Sequence, residues 1–220
     1  YWKNQKPFGE INKYFNEKFI EYLYNHFPRS YIKKYYKDIY INTKNIKIDF
    51  YYYHQTPNFG DMLVPYMLNK ITDTSKYTFN LKENNQTKIL SIGSIMRLAN
   101  KNTIIYGSGI RDLNQPLQYT NAQFVRGPHT RNALLKNGVY SPPIYGDMAL
   151  LMPDFYQPKL TKKYKLGFIP HYVDFDKVQK LYGDNCNILI INVKDKNIEK
   201  TIDEIASCEK ILSSSLHGLI

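Results

Sequence analysis

Lys210-Ile-Leu-Ser-Ser-Ser-Leu-His-Gly-Leu-Ile220 reads as an apolar strand, three serines and then a histidine at what the pattern predicts to be the first turn of a helix. In an α/β sheet, ligands bind in the crevice beyond the carboxyl ends of the strands. A helix opening there presents unpaired backbone N–H groups and a positive dipole end to an anion. That reading puts His217 where a phosphate-bearing substrate would be worked on. The same residues also read as a plain βα turn, with serines that only cap the helix and a satisfied surface histidine.

Working back from this stretch, two similar units precede it. Strands are expected near residues 165–169 and 187–193, with helices near 175–182 and 197–206. Strand and helix alternating in this way predict a parallel sheet with helices on both faces. Residues 141–163 carry Pro142, Pro143, Pro153 and Pro158 and read as a crossing between two domains.

The part before the crossing has the same character. Residues 46–53 are rich in β-branched and aromatic residues, Pro57 and Gly60 break the pattern, and Leu63, Met67 and Ile71 then share a helix face. Asp61 falls at the expected helix start, where a carboxylate either caps exposed N–H groups or serves as a catalytic base. Apolar strands at residues 88–92 and 103–106 run into the small-residue turns Gly93-Ser94 and Gly107-Ser108-Gly109, with Arg111 two residues beyond the second. Glycines at strand ends let the backbone approach a ligand. A strand at residues 123–125 leads into Arg126-Gly-Pro-His-Thr-Arg131 and a helix to about residue 136, with Pro128 at its first position and Gly138 past its end. Arg126 is thereby placed to grip a carboxylate or phosphate bidentately, or else to sit in a surface ion pair. Arg97, Arg111, Arg126 and Arg131 all fall around turns, whereas lysine dominates elsewhere.

Residues 1–45 read as helical. Ile11, Phe15, Phe19, Leu23 and Phe27 recur every four residues with Lys13, Asn16, Glu17 and Glu21 between them, Pro28 ends the helix, and residues 31–40 form a second, tyrosine-rich candidate. Such a helix can lie on a membrane surface, although packing against the following domain is the simpler account.

Composition bounds the function class. With 43% hydrophobic and 22% charged residues over 220 positions, the chain is globular and can bury a core. The excess of Lys, Asn, Ile and Tyr is what an AT-rich genome would encode. A formal net charge of +11 favours an acidic partner. The lysines are scattered and no nucleic-acid module is present, which argues for an anionic substrate, or a lipid-linked one at a cytoplasmic membrane face, over nucleic acid. Cys186 and Cys208 are too few and too far apart for a metal knuckle, and their apolar neighbours suggest buried reduced thiols in a cytosolic protein. No apolar run approaches the roughly 20 residues of a membrane span, and no signal peptide is visible. The chain begins with Tyr1 and stops inside a motif, so a piece of a longer protein is expected.

Ser213-Ser-Ser-Leu-His-Gly-Leu-Ile220 resembles the histidine motif of the polysaccharide pyruvyltransferases, and three further stretches fit in the same order: Thr56-Pro-Asn-Phe-Gly-Asp-Met62, Ile104-Ile-Tyr-Gly-Ser-Gly-Ile110 and Val125-Arg-Gly-Pro-His-Thr130. Gly146-Asp-Met148 resembles the family's Gly-Asp turn at the domain junction. The resemblance implies two Rossmann-like domains facing each other across a cleft, similar to GT-B glycosyltransferases, and transfer of a pyruvyl group from phosphoenolpyruvate to two hydroxyls of a sugar. It implies no metal or organic cofactor. Placed on this chain, it gives a helical segment over 1–45, one Rossmann-like domain over 46–140, a crossing over 141–163 and a truncated second domain over 164–220.

The chemistry implied by the resemblance assigns His217 as proton donor or phosphate ligand, Asp61 as base and Arg126 as the main anion clamp. Ser213, Ser214 and Ser215 with the helix N-terminus would form a second anion site, and Gly107, Ser108, Gly109 and Arg111 would line the donor pocket. The acceptor would be a glycan or lipid-linked oligosaccharide, met in the cytoplasm or peripherally at the inner membrane surface. One departure stands out: some branches of the family have an arginine where this chain has Ser215. Two other classes fit the same sequence features, a GT-B-like glycosyltransferase using a nucleotide sugar and a non-catalytic domain of a larger capsule-synthesis protein.

Overall fold

The computed structural model describes residues 46–71, 77–81, 88–159 and 161–220; the helices expected over residues 1–45 lie outside them. The described residues form a mixed α/β structure with two parallel sheets, consistent with a Rossmann-like arrangement. The first contains β1 (Ile46–Tyr51), β2 (Tyr77–Leu81), β3 (Lys88–Leu90), β4 (Thr103–Tyr106) and β5 (Asn121–Phe124) in the order β2-β1-β3-β4-β5. Every pairing is parallel. The second contains β6 (Tyr164–Ile169), β7 (Ile188–Ile190) and β8 (Cys208–Ser213) in the order β7-β6-β8, again all parallel.

Parallel strands need crossovers, and helices supply them. Helix α1 (Phe59–Ile71) follows β1, α2 (Pro128–Lys136) follows β5, and α3 (Phe175–Tyr182) and α4 (Ile198–Ala206) connect the strands of the second sheet. Helix α1 begins three residues before the expected position because Asn58 caps it, its Oδ1 accepting from the Gly60 N–H at 3.1 Å. Asp61 is therefore already inside the first turn and is not the cap. Pro65 lies in the same helix and brings no N–H to the Asp61 carbonyl, which loosens the turn that carries Asp61. Helix α2 has Pro128 at its start and Gly138 at φ 73° just past its end, as the sequence pattern predicts.

The core runs continuously from one sheet to the other. Phe50, Ile89 and Ile104 of the first sheet pack with Leu63 and Met67 of α1, and the same cluster takes in Ile169, Ile191, Val193 and Ile198. Polar bonds cross with it: the Phe59 N–H donates to the Val193 carbonyl at 2.6 Å, and Tyr66 Oη donates to Glu199 at 2.7 Å. Helix α1 thus serves both sheets, and its amino end stands between their strand ends.

Two local expectations are corrected. The chain after β8 is not an α-helix but a 3₁₀ turn, Leu216–Gly218, because the Gly218 and Leu219 N–H groups bond three residues back, to Ser215 and Leu216. Within residues 141–163, Met148–Asp154 forms a 3₁₀ helix whose Met148, Leu151 and Met152 enter the shared core. Cys208 is buried, but Cys186 is exposed, since it lies in the turn after α3 rather than on the apolar side of β7.

Candidate functional site

The carboxyl ends of β3, β4 and β5 are held side by side by their own backbones. Beyond β4, the Gly107 N–H donates to the Phe124 carbonyl at 3.0 Å, and the Arg126 N–H returns a bond to the Ser108 carbonyl at 3.2 Å. On the other flank, the Gly109 N–H and the Ser108 hydroxyl both donate to the Gly93 carbonyl, at 3.0 and 2.9 Å. Gly107 has φ 85°, and a Cβ there would lie 2.8 Å from the Gly146 carbonyl oxygen, so conformation and space both require glycine.

Arg126 lies across this surface. Its Nη2 donates to Ser94 Oγ at 2.8 Å and to the Ile110 carbonyl at 3.3 Å, and its guanidinium rests against Gly109, where any side chain would overlap it. A guanidinium has five N–H donors, and those on Nε and Nη1 are not used by these bonds. Burial lowers the Arg126 pKa, while the nearby Asp147 carboxylate opposes that effect.

Asp147 arrives beside β5 through a short parallel bridge, Val125 to Tyr145. Its Oδ1 accepts from the Ala149 N–H at 3.0 Å and so caps the 3₁₀ helix, while its Oδ2 lies 3.3 Å from His217 Nε2. Both side chains are nearly inaccessible, at 2% and 9% exposure, so this contact is not a solvated surface pair. The other face of the histidine meets α1: a Cβ on Gly60 would overlap Nδ1 and Cγ of the ring. His217 therefore reaches from the second sheet into the first turn of α1.

Asp61, next to Gly60, completes the group. Burial pushes its carboxyl up to about 6, and the charges of His217 and Arg111 pull the other way. The Asp61 Oδ1 also lies close over Gly93, 3.3 Å from where a Cβ would be. Asp61, Arg126, His217 and the Gly107–Gly109 turn thus lie close together at one end of the strands. Arg111 is exposed, near enough for its charge to act on Asp61.

The serines are placed differently. Ser213 Oγ accepts from the Ser215 N–H at 3.0 Å and donates toward the Ile169 and Ser215 carbonyls, and Ser214 Oγ accepts from the His171 N–H at 2.7 Å. These two hydroxyls hold the β8 turn against the end of β6, and the turn they lead into offers no α-helical N-terminus. Ser108 is likewise buried and bonded to Gly93. Among the described residues there is no group of three or more His, Cys, Asp or Glu side chains able to hold a metal ion.

Sequence reasoning missed Asp147, Ser94 and Gly60 as parts of this site. Asp147 was visible only as the Gly-Asp turn of the family resemblance, and Gly60 only as a break in a pattern.

Among the described residues, two all-parallel sheets with charged side chains gathered at strand ends are consistent with a Rossmann-like α/β protein. The chain belongs to the polysaccharide pyruvyl transferase family, whose model matches residues 10–220. It is also similar to an uncharacterized protein of Acanthamoeba polyphaga mimivirus, with 28% identity over 189 residues. That match covers 82% of this chain and 65% of the relative, so the chain spans less than two thirds of the relative's length. No solved structure matches it.

Proposed function

We propose that the chain carries the donor site, and part of the acceptor site, of an enzyme that moves a pyruvyl group from phosphoenolpyruvate onto a sugar diol. The diol would belong to a surface polysaccharide or its lipid-linked precursor, and the products would be a cyclic ketal and phosphate. The observation that supports this reading most is the closeness of Arg126, Asp61 and the Asp147–His217 pair at the strand ends. Family membership supports the reaction class. The two sheets would belong to two facing Rossmann-like domains, and the reaction asks for no metal or organic cofactor. The enzyme would work in the cytoplasm or at its membrane face; among the described residues no helix is long and apolar enough to cross a membrane.

Phosphoenolpyruvate carries a carboxylate and a phosphate, and Arg126 has a pair of donors to offer one of them. The reaction needs a proton on the donor's methylene carbon, which His217 would give up and regain from solvent, and which makes the neighbouring carbon electrophilic. One sugar hydroxyl attacks that carbon and gives its proton to a base. The carbon–oxygen bond to phosphate then breaks, the electron pair leaves with phosphate, and the second hydroxyl closes the ketal while its proton goes to phosphate. Asp61 suits the base: a carboxyl near 6 is mostly ionised at pH 7 yet more basic than an ordinary aspartate. His217 has Nε2 committed to Asp147 and its Nδ1 edge against Gly60, so proton exchange or phosphate contact at Nδ1 would require the ring to turn off Gly60. Asp147 acts through His217 and is a positioning residue.

The test is phosphate release from phosphoenolpyruvate by the full-length protein, with and without candidate glycans, beside mass spectrometry of the glycan. Glycan-dependent release with gain of a pyruvyl ketal is expected. Transfer of a sugar from a nucleotide sugar with no release from phosphoenolpyruvate would contradict the reading.

A further inference from the structure

A second concavity opens on the other side of Asp61. It has a volume of about 440 Å³ and is walled by Tyr52, Tyr53 and His54 from the end of β1, Tyr66 and Asn69 from α1, and Lys196 from the loop before α4. This volume falls in the range of roughly 300–1,000 Å³ typical of small-molecule sites. We propose that this tyrosine-walled pocket is the acceptor subsite and takes a hexopyranose unit of the glycan, an inference that rests on the pyruvyl-transfer reading of the neighbouring crevice.

Position carries the first part of the argument. Met62 and Pro65 line the pocket, and at 3.6 residues per turn Pro65 stacks one turn above Asp61 on α1. Along the sheet the loops follow the strand order: the β1 loop bears the tyrosines, the β3 loop Gly93 and Ser94, the β4 loop Gly107–Gly109, and the end of β5 Arg126. Asp61 lies over Gly93, which follows β3, and β3 stands between β1 and the β5 end that bears Arg126. A base must touch the acceptor hydroxyl while the donor's anion sits on the arginine. An acceptor in this pocket and a donor on Arg126 would approach Asp61 from its two sides.

Chemistry carries the second part. A pyranose ring presents C–H groups on its faces and hydroxyls around its rim, so it suits apolar ring faces combined with a few polar groups. The pocket supplies three phenol rings and an imidazole, with the Asn69 amide, the Thr56 hydroxyl and the Lys196 ammonium around them. Two of the tyrosine walls are already fixed. Tyr52 stacks on Phe50 with ring centroids 5.9 Å apart, and Tyr66 is held by Glu199 at 2.7 Å with Lys70 over its ring. Tyr53 lies between them, half-buried. Among the described residues no carboxylate lines the pocket, which suits neutral or acidic sugars over cationic ones.

The experiment is saturation-transfer NMR on the full-length protein with methyl glycosides of glucose, galactose and mannose and with N-acetylglucosamine, beside calorimetry with phosphoenolpyruvate. At least one glycoside should receive saturation on its ring protons. Its apparent affinity should fall about tenfold in Tyr53→Ala and stay within twofold in Tyr53→Phe, with phosphoenolpyruvate affinity unchanged in both. Thermal unfolding checks that Tyr53→Ala folds; if it does not, Asn69→Ala, at an exposed helix position, takes its place with the same expected loss. Saturation of no glycoside, or saturation indifferent to these substitutions, overturns the proposal even if phosphoenolpyruvate binds. Tyrosine-dependent glycoside binding without phosphoenolpyruvate binding would keep the sugar subsite and remove the donor assignment.

Discussion

The Nε2 atom of His217 lies 3.3 Å from Oδ2 of Asp147, a residue 70 positions earlier that follows a bridge to the opposite sheet. The pair fixes the imidazole in two ways, because Asp147 is itself held by the Ala149 N–H and because the ring's other edge rests on Gly60. A carboxylate in this position can accept a hydrogen from Nε2 and so orients the imidazole ring.

Asp147→Ala is expected to lower kcat for phosphate release by about 10²-fold or more, with phosphoenolpyruvate affinity changed only a few-fold. Asp147→Asn should preserve the Ala149 cap and much of the stability, yet still lose rate, because an amide oxygen stabilises an imidazolium less than a carboxylate does. Wild-type kcat in either variant, measured by steady-state kinetics, would remove Asp147 from the mechanism.

Gly60→Ala reverses the usual sign of its class. In a helix this change ordinarily stabilises by roughly 0.5–1 kcal/mol. Here the added methyl would overlap the His217 ring, so we expect destabilisation of about 1–3 kcal/mol, as for overpacking, together with loss of turnover. Denaturant unfolding of the variant beside wild type gives the sign directly.

Asp61 links activity and stability to pH in opposite senses. Its pKa rises from 3.8 to about 6 on folding, so between these values the folded state keeps a proton that the unfolded chain has released. Stability therefore falls as pH rises through this window, and above it the full cost of about 3 kcal/mol remains. Asp61→Asn removes the titration: it should be more stable than wild type at pH 8, equal to it near pH 4, and inactive at both. Thermal unfolding across that range checks the crossing. A wild-type rate should rise with pH through about 6, as the base ionises.

Arg126→Ala should raise KM for phosphoenolpyruvate at least tenfold, and Arg126→Lys should not restore it, because an ammonium cannot reproduce the two-pronged fork that Ser94 and Gly109 hold in place. The measurement is KM beside an unfolding midpoint. An unchanged constant in a folded Arg126→Ala variant would leave this arginine a role only in packing the strand ends.

The parallel α/β class was legible in the sequence because several strands are short β-branched or apolar runs that lead into Gly or Pro, as at Gly93, Gly107 and Pro170, although β2 was not among those expected. The start of α1 was not, because Asn58 and Asp61 are both capable caps and only the bond from the Gly60 N–H decides between them. The 3₁₀ turn at His217 was read as α-helix for a similar reason: Ser-Ser-Leu-His has the composition of a capped helix start, and the difference lies in which carbonyl each N–H finds. That Asp61, Arg126 and His217 lie near one another could be expected from strand ends alone. The Asp147–His217 contact could not, since it joins two sheets through a histidine that local pattern cannot aim.

The account's central claim is that His217 handles a proton in pyruvyl transfer, and His217→Gln tests it most directly in the full-length protein. Glutamine keeps a hydrogen-bond donor near Asp147 and the first turn of α1 but cannot shuttle a proton near pH 7. Phosphoenolpyruvate affinity by calorimetry should stay within a few-fold of wild type while glycan-dependent phosphate release falls by at least 10²-fold. A His217→Gln enzyme that binds the donor and turns over at near the wild-type rate would contradict the claim.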